Sequence, residues 1–307
     1  MAFLEGPSLK QAEVIKQELG EGPGDLERGV RDLRSMLAAS PYLPEPDSVE
    51  KQVLEMFVRG CRMDLERARN KLKAFFLSRS RFRDLYEYTS LSVPPLNEVC
   101  KFIDVVPLPK LTDEGYRITI ARVRPGYSDS SADITDATRA VLLVSDVRMH
   151  DETMIAGDVF IWEVSNVRAS LAAKVMAAAS AVRRSIYLAQ AAYPQRMKRI
   201  HVVGARPFLA SSLQLMRSCV NEKVRRRYYI HSKVEELLEH IPARVLPEEW
   251  GGQEESIDAL ARRWRNRVDD LSDYVKNLKD LSNTTPAPIM DNDMYGTVGA
   301  FRKLDID

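Results

Sequence analysis

The densest chemical signal in the chain is positive charge. Arg217-Ser-Cys-Val-Asn-Glu-Lys-Val-Arg-Arg-Arg227 holds five basic residues against one acid, a local +4, and Tyr193-Pro-Gln-Arg-Met-Lys-Arg199 adds three more with no acid. Charges of one sign this close repel unless water or an anionic partner, such as a lipid headgroup, compensates them. A solvated face and a phosphate- or membrane-directed patch both fit that composition. Between the two runs lies Phe208-Leu-Ala-Ser-Ser-Leu-Gln-Leu-Met-Arg-Ser-Cys-Val220. Leu209, Leu213, Met216 and Val220 form one apolar row at helical spacing, and Phe208, Leu215 and Cys219 an adjacent one. So wide an apolar arc belongs to a helix that is deeply buried or that covers an apolar cavity on one side.

Catalytic chemistry finds less support. No G-x-G-x-x-G follows a strand and no G-x-x-x-x-G-K-[ST] occurs, which removes the dinucleotide and P-loop signatures. The G-x-S-x-G nucleophile elbow is absent too. His150, His201, His231 and His240 form no H-x-x-x-H or H-E-x-x-H pair, so no metal site and no cofactor is expected. His201, inside a short apolar strand, reads as a satisfied imidazole of core or surface. Glu163, inside the apolar run Phe160–Val164, must be paired or desolvated; an ion pair or a solvent-facing carboxylate accounts for it. Cys61, Cys100 and Cys219 are odd in number and far apart, and read as reduced thiols of a cytosolic protein. The chain is not expected to be an enzyme.

The elements that must position these residues suggest an α/β protein. With 45% apolar, 29% charged and 7% aromatic residues, the 307-residue chain has the composition of a globular protein of about two domains. The balance of 45 Lys+Arg against 44 Asp+Glu gives no bulk-charge case for a nucleic-acid partner. No run of about 18 uncharged apolar residues occurs, so no transmembrane helix is expected, and the amino terminus lacks the pattern of a secretory signal. Helical spacing marks Asp25–Ala39, Ser48–Arg62 and a third helix from the N-cap Asp64 to near Arg83, carrying Ala68, Leu72, Phe75 and Phe76. Tyr116–Arg124 alternates as a half-buried strand, and Val159–Val164, opened by Gly157, is apolar on both faces as an interior strand is. Ile200–Val203 and Tyr228–His231 are shorter strands. Helices are expected over Ala132–His150, Ser170–Ala192, Phe208–Val220 and Ser256–Leu281, with a loop or tail over Asn283–Met294. Strands alternating with helices imply a mixed or parallel sheet covered by helices.

The stretch Tyr193-Pro-Gln-Arg-Met-Lys-Arg-Ile-His-Val-Val203, the helix after Pro207, Asn221-Glu-Lys-Val-Arg-Arg-Arg227 and Leu246-Pro-Glu-Glu-Trp-Gly-Gly252 together resemble the CRAL-TRIO lipid-transfer family. The nearest branch is that of the tocopherol-transfer and retinaldehyde-binding proteins. Phe57-Val-Arg-Gly-Cys-Arg-Met-Asp-Leu-Glu-Arg-Ala68 is similar to the family's N-terminal helical module, and Tyr295–Asp307 to the ending of insect members. The resemblance covers about residues 20 to 281 and that tail.

It implies three parts: a helical module over 1–90, a lipid-binding domain over 95–252, and a C-terminal helix and tail over 253–307. The sheet would be a cavity floor carrying Phe160 and Trp162. The helix with Phe208, Leu209, Ser212, Leu213, Met216 and Val220 would be a mobile gate over the cavity. Arg196, Lys198, Lys223 and Arg227 would hold phosphoinositide headgroups. The implied role is that of a cytoplasmic, non-enzymatic carrier of a hydrophobic small molecule (a tocopherol, retinoid, carotenoid or similar lipid). It would associate reversibly with phosphoinositide-containing membranes and release its cargo when the gate opens. A phosphatidylinositol- or phospholipid-binding sensor or adaptor of the same fold is the alternative. Two departures stand out: Trp162-Glu163 where the family often has Phe-Asp, and Gly204-Ala-Arg-Pro207 where it often has Asn-x-Pro. A bulky Trp162 shrinks the space, so the relatives' ligands do not transfer directly.

Overall fold

Four helices open the chain: α1 (Leu9–Leu19), α2 (Asp25–Ala38), α3 (Lys51–Gly60) and α4 (Leu65–Arg81), followed by the single turn α5 (Leu96–Val99). The computed structural model describes residues 3–152 and 154–282; the expected loop over 283–294 and the tail Tyr295–Asp307 lie outside them. Sequence patterning gave no expectation for α1, which is polar on most sides. A capping box starts it: Ser8 Oγ accepts from the Gln11 N–H at 3.3 Å, and Gln11 Oε1 accepts from the Ser8 N–H at 2.9 Å. Gly20, at φ 69°, ends it. Asp64 caps α4 as anticipated, accepting from the Arg67 N–H at 3.0 Å.

Helices α2–α4 share a core built around Leu33, Leu54, Phe57, Leu72 and Phe75. The core runs on into Leu188, Ala192 and Tyr193, so the helical module is packed against the segment that leads into the sheet. Buried Lys71 fastens the same junction, its Nζ donating to Gln190 O at 2.8 Å and Tyr193 O at 2.6 Å. Burial pulls that ammonium down to about 8.

The sheet has five strands in sequential order: β1 (Ile103–Leu111), β2 (Tyr116–Val123), β3 (Gly157–Glu163), β4 (Met197–Val203) and β5 (Tyr228–His231). β1 runs antiparallel to β2, and the remaining pairs are parallel. β1 escapes sequence patterning because Pro107 and Pro109 interrupt it. At the sheet edge a missing N–H need not cost a ladder bond, and the register shifts between Pro107 and Leu111.

The crossovers are α6 (Ile134–Asp151), then α7 (Ala169–Ala177) with α8 (Ala179–Ala191), then α9 (Ala210–Ser218) with the short α10 (Glu222–Arg225). α11 (Ile257–Asp270) and α12 (Ser272–Leu281) close the described chain. Three expected helices are therefore corrected. Ser170–Ala192 is broken at Ala178 (φ −90°, ψ 23°) and Ser256–Leu281 at Leu271 (φ −99°, ψ 17°), where no Gly or Pro marks the break. Phe208–Val220 is a 3-10 turn over Pro207–Leu209 followed by α9, with Cys219 and Val220 beyond its end.

The two sheet faces differ. Val159 and Ile161 of β3 are fully buried in one core with Val144 and Val147 of α6 and Leu260 and Trp264 of α11. On the other face Phe160 and Trp162 stand beside Ile200 and Val202 of β4 and pack with Leu213, Val220 and Val224. Although β3 is the central strand, Phe160 and Trp162 are only partly buried. Its helical cover does not seal that face.

Candidate functional site

Arg196 lies immediately before β4 and Lys198 within it, Lys223 is on α10, and Arg227 immediately precedes β5. Because β4 and β5 are adjacent and parallel, with the Ile200 N–H donating to Arg227 O at 2.9 Å, the two basic runs meet. All four side chains line one cleft of about 230 Å³, together with Arg62, Glu18, Gln190 and Asn221. Gly157 opens β3 beside this cleft. A Cβ there would lie 2.6 Å from Lys198 Cγ and 2.9 Å from Arg196 O, so the absence of a side chain lets the strand pass under both cations.

Arg196 is the most firmly held. Its backbone N–H donates to Asp158 Oδ2 at 2.8 Å, its Nη1 to Ala156 O at 2.8 Å and its Nη2 to Glu18 Oε1 at 3.2 Å. Lys198 Nζ donates to the same Glu18 oxygen. Burial draws Lys198 and Arg196 below their ordinary values, with Glu18 opposing. The hydrogen bond from Lys198, aided by Arg196, holds the Glu18 carboxyl below the usual carboxylate range.

Two donors at the cleft are orphaned. Arg196 Nε is buried and makes no hydrogen bond to any described residue, and the same holds for Asn221 Nδ2. Asn221 spends its other amide atom capping α10, Oδ1 accepting from the Val224 N–H at 2.9 Å. A buried donor without a partner costs about 1–3 kcal/mol, and five cations with two such donors are the complement of groups that pair with an oxyanion.

The expected cavity residues divide. Phe160, Trp162, Leu213 and Val220 gather in one apolar cluster, with Trp162 edge-to-face on Tyr228 at 5.8 Å. Ser212 is buried and its Oγ donates to Ala172 O at 3.4 Å, tying α9 to α7. Met216 is partly exposed. Leu209 departs from the expected row and packs into the main core with Leu171 and Ala172, while Phe208, 43% exposed, faces outward. The start of the helix is anchored at Leu209, and the row of four holds only at Leu213 and Val220.

Glu163 is buried, and its Oε1 accepts from the Ser165 N–H at 3.0 Å, a turn contact rather than a solvent-facing carboxylate or the ion pair considered above. His201 is fully buried, its Nδ1 2.8 Å from His231 Nε2 and its ring stacked on Tyr229, with His240 tilted against it. His201 and His231 thus stack and share one contact between ring nitrogens, with His240 tilted against both; among the described residues no group of three or more His, Cys, Asp or Glu is placed to hold a metal ion.

Sequence reasoning missed Glu18, Arg62 and Asn221. Glu18 sits on a helix without a strong apolar stripe, and Arg62 in the turn after α3 at φ 57°. Asn221 did carry a signal, a capping residue before Glu222-Lys-Val.

Residues 104–252 match the CRAL/TRIO domain family. A Mus musculus protein named alpha-tocopherol transfer protein-like is 25% identical over 282 residues, 90% of this chain and 78% of that protein. Clavesin-2 of Rattus norvegicus is 26% identical over 251 residues, 80% of this chain and 75% of that protein. The fold resembles the crystal structure of Sfh5 with a TM-score of 0.51 and 9% sequence identity, covering 84% of this chain and 93% of that one. The matched segment takes in β2 to β5, all but the first residue of β1, and four of the five cations of the cleft. The chain carries a CRAL/TRIO domain over residues 104–252.

Proposed function

We propose that this protein carries one hydrophobic small-molecule lipid, of the tocopherol, retinoid or carotenoid kind, over the partly covered sheet face and releases it at membranes bearing phosphoinositides. The CRAL/TRIO domain over residues 104–252 implies binding and transfer of a lipid. The incompletely buried Phe160 and Trp162 give an apolar ligand a floor, and burying it is worth roughly 25 cal/mol per Å². A cargo held that way leaves only through a state that its destination stabilises.

The observation that carries the membrane half of the proposal is the cationic cleft with its two orphaned donors. The cleft is wired to α9. Gln190, which lines it, donates through Nε2 to Cys219 O at 3.0 Å and accepts the Asn221 N–H at 3.4 Å. A headgroup that engages Asn221 therefore perturbs the bonds holding the end of α9, whose Leu213 joins Trp162 in the apolar cluster. Met176 on α7 and Phe208 before α9, both more than 40% exposed, offer apolar side chains to the bilayer on the same helical cover. No described helix is long and apolar enough to cross a membrane, which suits peripheral, reversible attachment from the cytoplasm.

The test is to express the protein, extract it with organic solvent and identify the co-purified lipid by mass spectrometry. A sterol-, tocopherol-, retinoid- or carotenoid-sized hydrophobic molecule supports the carrier. A phospholipid shifts the role to a phospholipid sensor or adaptor. An empty protein that binds nothing from a hydrophobic panel defeats both readings.

A further inference from the structure

One side of the cleft is already occupied. The Glu18 carboxylate, reaching in from the last turn of α1, takes the donors of Arg196 and Lys198 on a single oxygen. Its own position is locally unfavourable: it is the penultimate residue of α1, where the negative end of the helix dipole disfavours an acid. What sustains it is the pair of cations, Arg196 buried and Lys198 largely so, and the helix is held in place independently by Ile15 and Leu19, packed with Leu111, Met154 and Ile155. Glu18 itself keeps 37% of its side chain exposed, so it can swing to solvent without unpacking α1.

We infer that Glu18 is an internal competitor for the cleft, its carboxylate filling the two-cation seat that a phosphate group must take; this rests on the reading of the cleft as an anion site. A phosphate monoester and a carboxylate want the same donors. An incoming anion therefore displaces Glu18 or accepts its repulsion, and the apparent affinity is lowered by the fraction of molecules in which the seat is filled. The ligand class is a polyphosphorylated inositol, either a lipid headgroup or its free counterpart. A weak single phosphate gains little over the carboxylate it replaces, whereas neighbouring phosphates reach Arg62, Lys223 and Arg227 as well.

The experiment titrates the full-length protein and its Glu18→Gln variant with inositol 1,4,5-trisphosphate by calorimetry, and with phosphatidylcholine vesicles containing phosphatidylinositol 4,5-bisphosphate by sedimentation. Removing the charge should tighten binding by about fivefold or more, the scale of losing two partly exposed ion pairs. Glu18→Asp, which keeps the charge, should stay nearer to wild type. A gain with the free trisphosphate alone supports the competition and makes a soluble inositol phosphate the ligand; a gain with vesicles alone supports it and makes the lipid the ligand. Unchanged or weaker binding by Glu18→Gln, with wild type binding well, overturns the inference and makes Glu18 a positioning residue for Arg196 and Lys198. If neither protein binds either probe, the anion reading of the cleft falls, and the competition with it.

Discussion

At the scale of single residues, charge and its local compensation decide the chemistry. Lys223 and Arg227 line the cleft, so reversing both should weaken binding to phosphoinositide vesicles by more than about tenfold, at roughly 1 kcal/mol per basic residue near an anionic surface. Raising the salt should shrink the difference between the two proteins, and equal sedimentation at low salt would count against the cleft. His201 gives a second expectation. Burial, together with His231 and His240, drops it from 6.5 to about 3. The unfolded chain therefore takes up a proton that the folded one refuses. The stability is complete above pH 6.5 and drains away as the pH falls towards 3, with about 2–3 kcal/mol lost by pH 4.5. Thermal melts of wild type and His201→Leu at pH 7 and pH 4.5 check this: the variant should lose less on acidification, whatever its stability at pH 7. The choice of Arg196, Lys198, Lys223 and Arg227 came from the family resemblance, whereas the basic patch was legible because eight cations crowd into two short runs of sequence. Glu18 was not, because what brings it to them is the packing of Ile15 and Leu19, far away in the chain.

At the scale of elements, the cleft depends on how closely strands and helices approach one another. Gly157→Ala would drive a Cβ against Lys198 Cγ and Arg196 O. The substitution should cost about 1–3 kcal/mol by overpacking and weaken trisphosphate binding as Lys198 shifts; full affinity in a folded variant would show that the strand has room to spare. The tie between Ser212 and Ala172 can be made covalent. A Ser212→Cys, Ala172→Cys protein should, when oxidised, hold α9 on α7 and slow lipid release several-fold, with dithiothreitol restoring the rate. Release at an undiminished rate in the oxidised protein would mean that this helix does not move. Strands β2 to β5 and most helices were readable from period and composition. The breaks at Ala178 and Leu271 were not, since neither residue type forbids a helix, and β1 hid behind prolines that only an edge position tolerates.

At the scale of the whole molecule, a net charge of +1 conceals a cleft with five cations facing one carboxylate, beside a helical cover over an apolar sheet face. On the proposed reading, that juxtaposition joins cargo and destination in one body: the cationic cleft is hydrogen-bonded through Gln190 and Asn221 to the end of α9. The most direct measurement incubates the protein, carrying its own co-purified lipid, with phosphatidylcholine vesicles with and without phosphatidylinositol 4,5-bisphosphate, and follows the protein-bound lipid by mass spectrometry over time. Faster loss with the phosphoinositide, abolished by reversing Lys223 and Arg227, is the predicted result. Equal rates on both kinds of vesicle would contradict headgroup-triggered release.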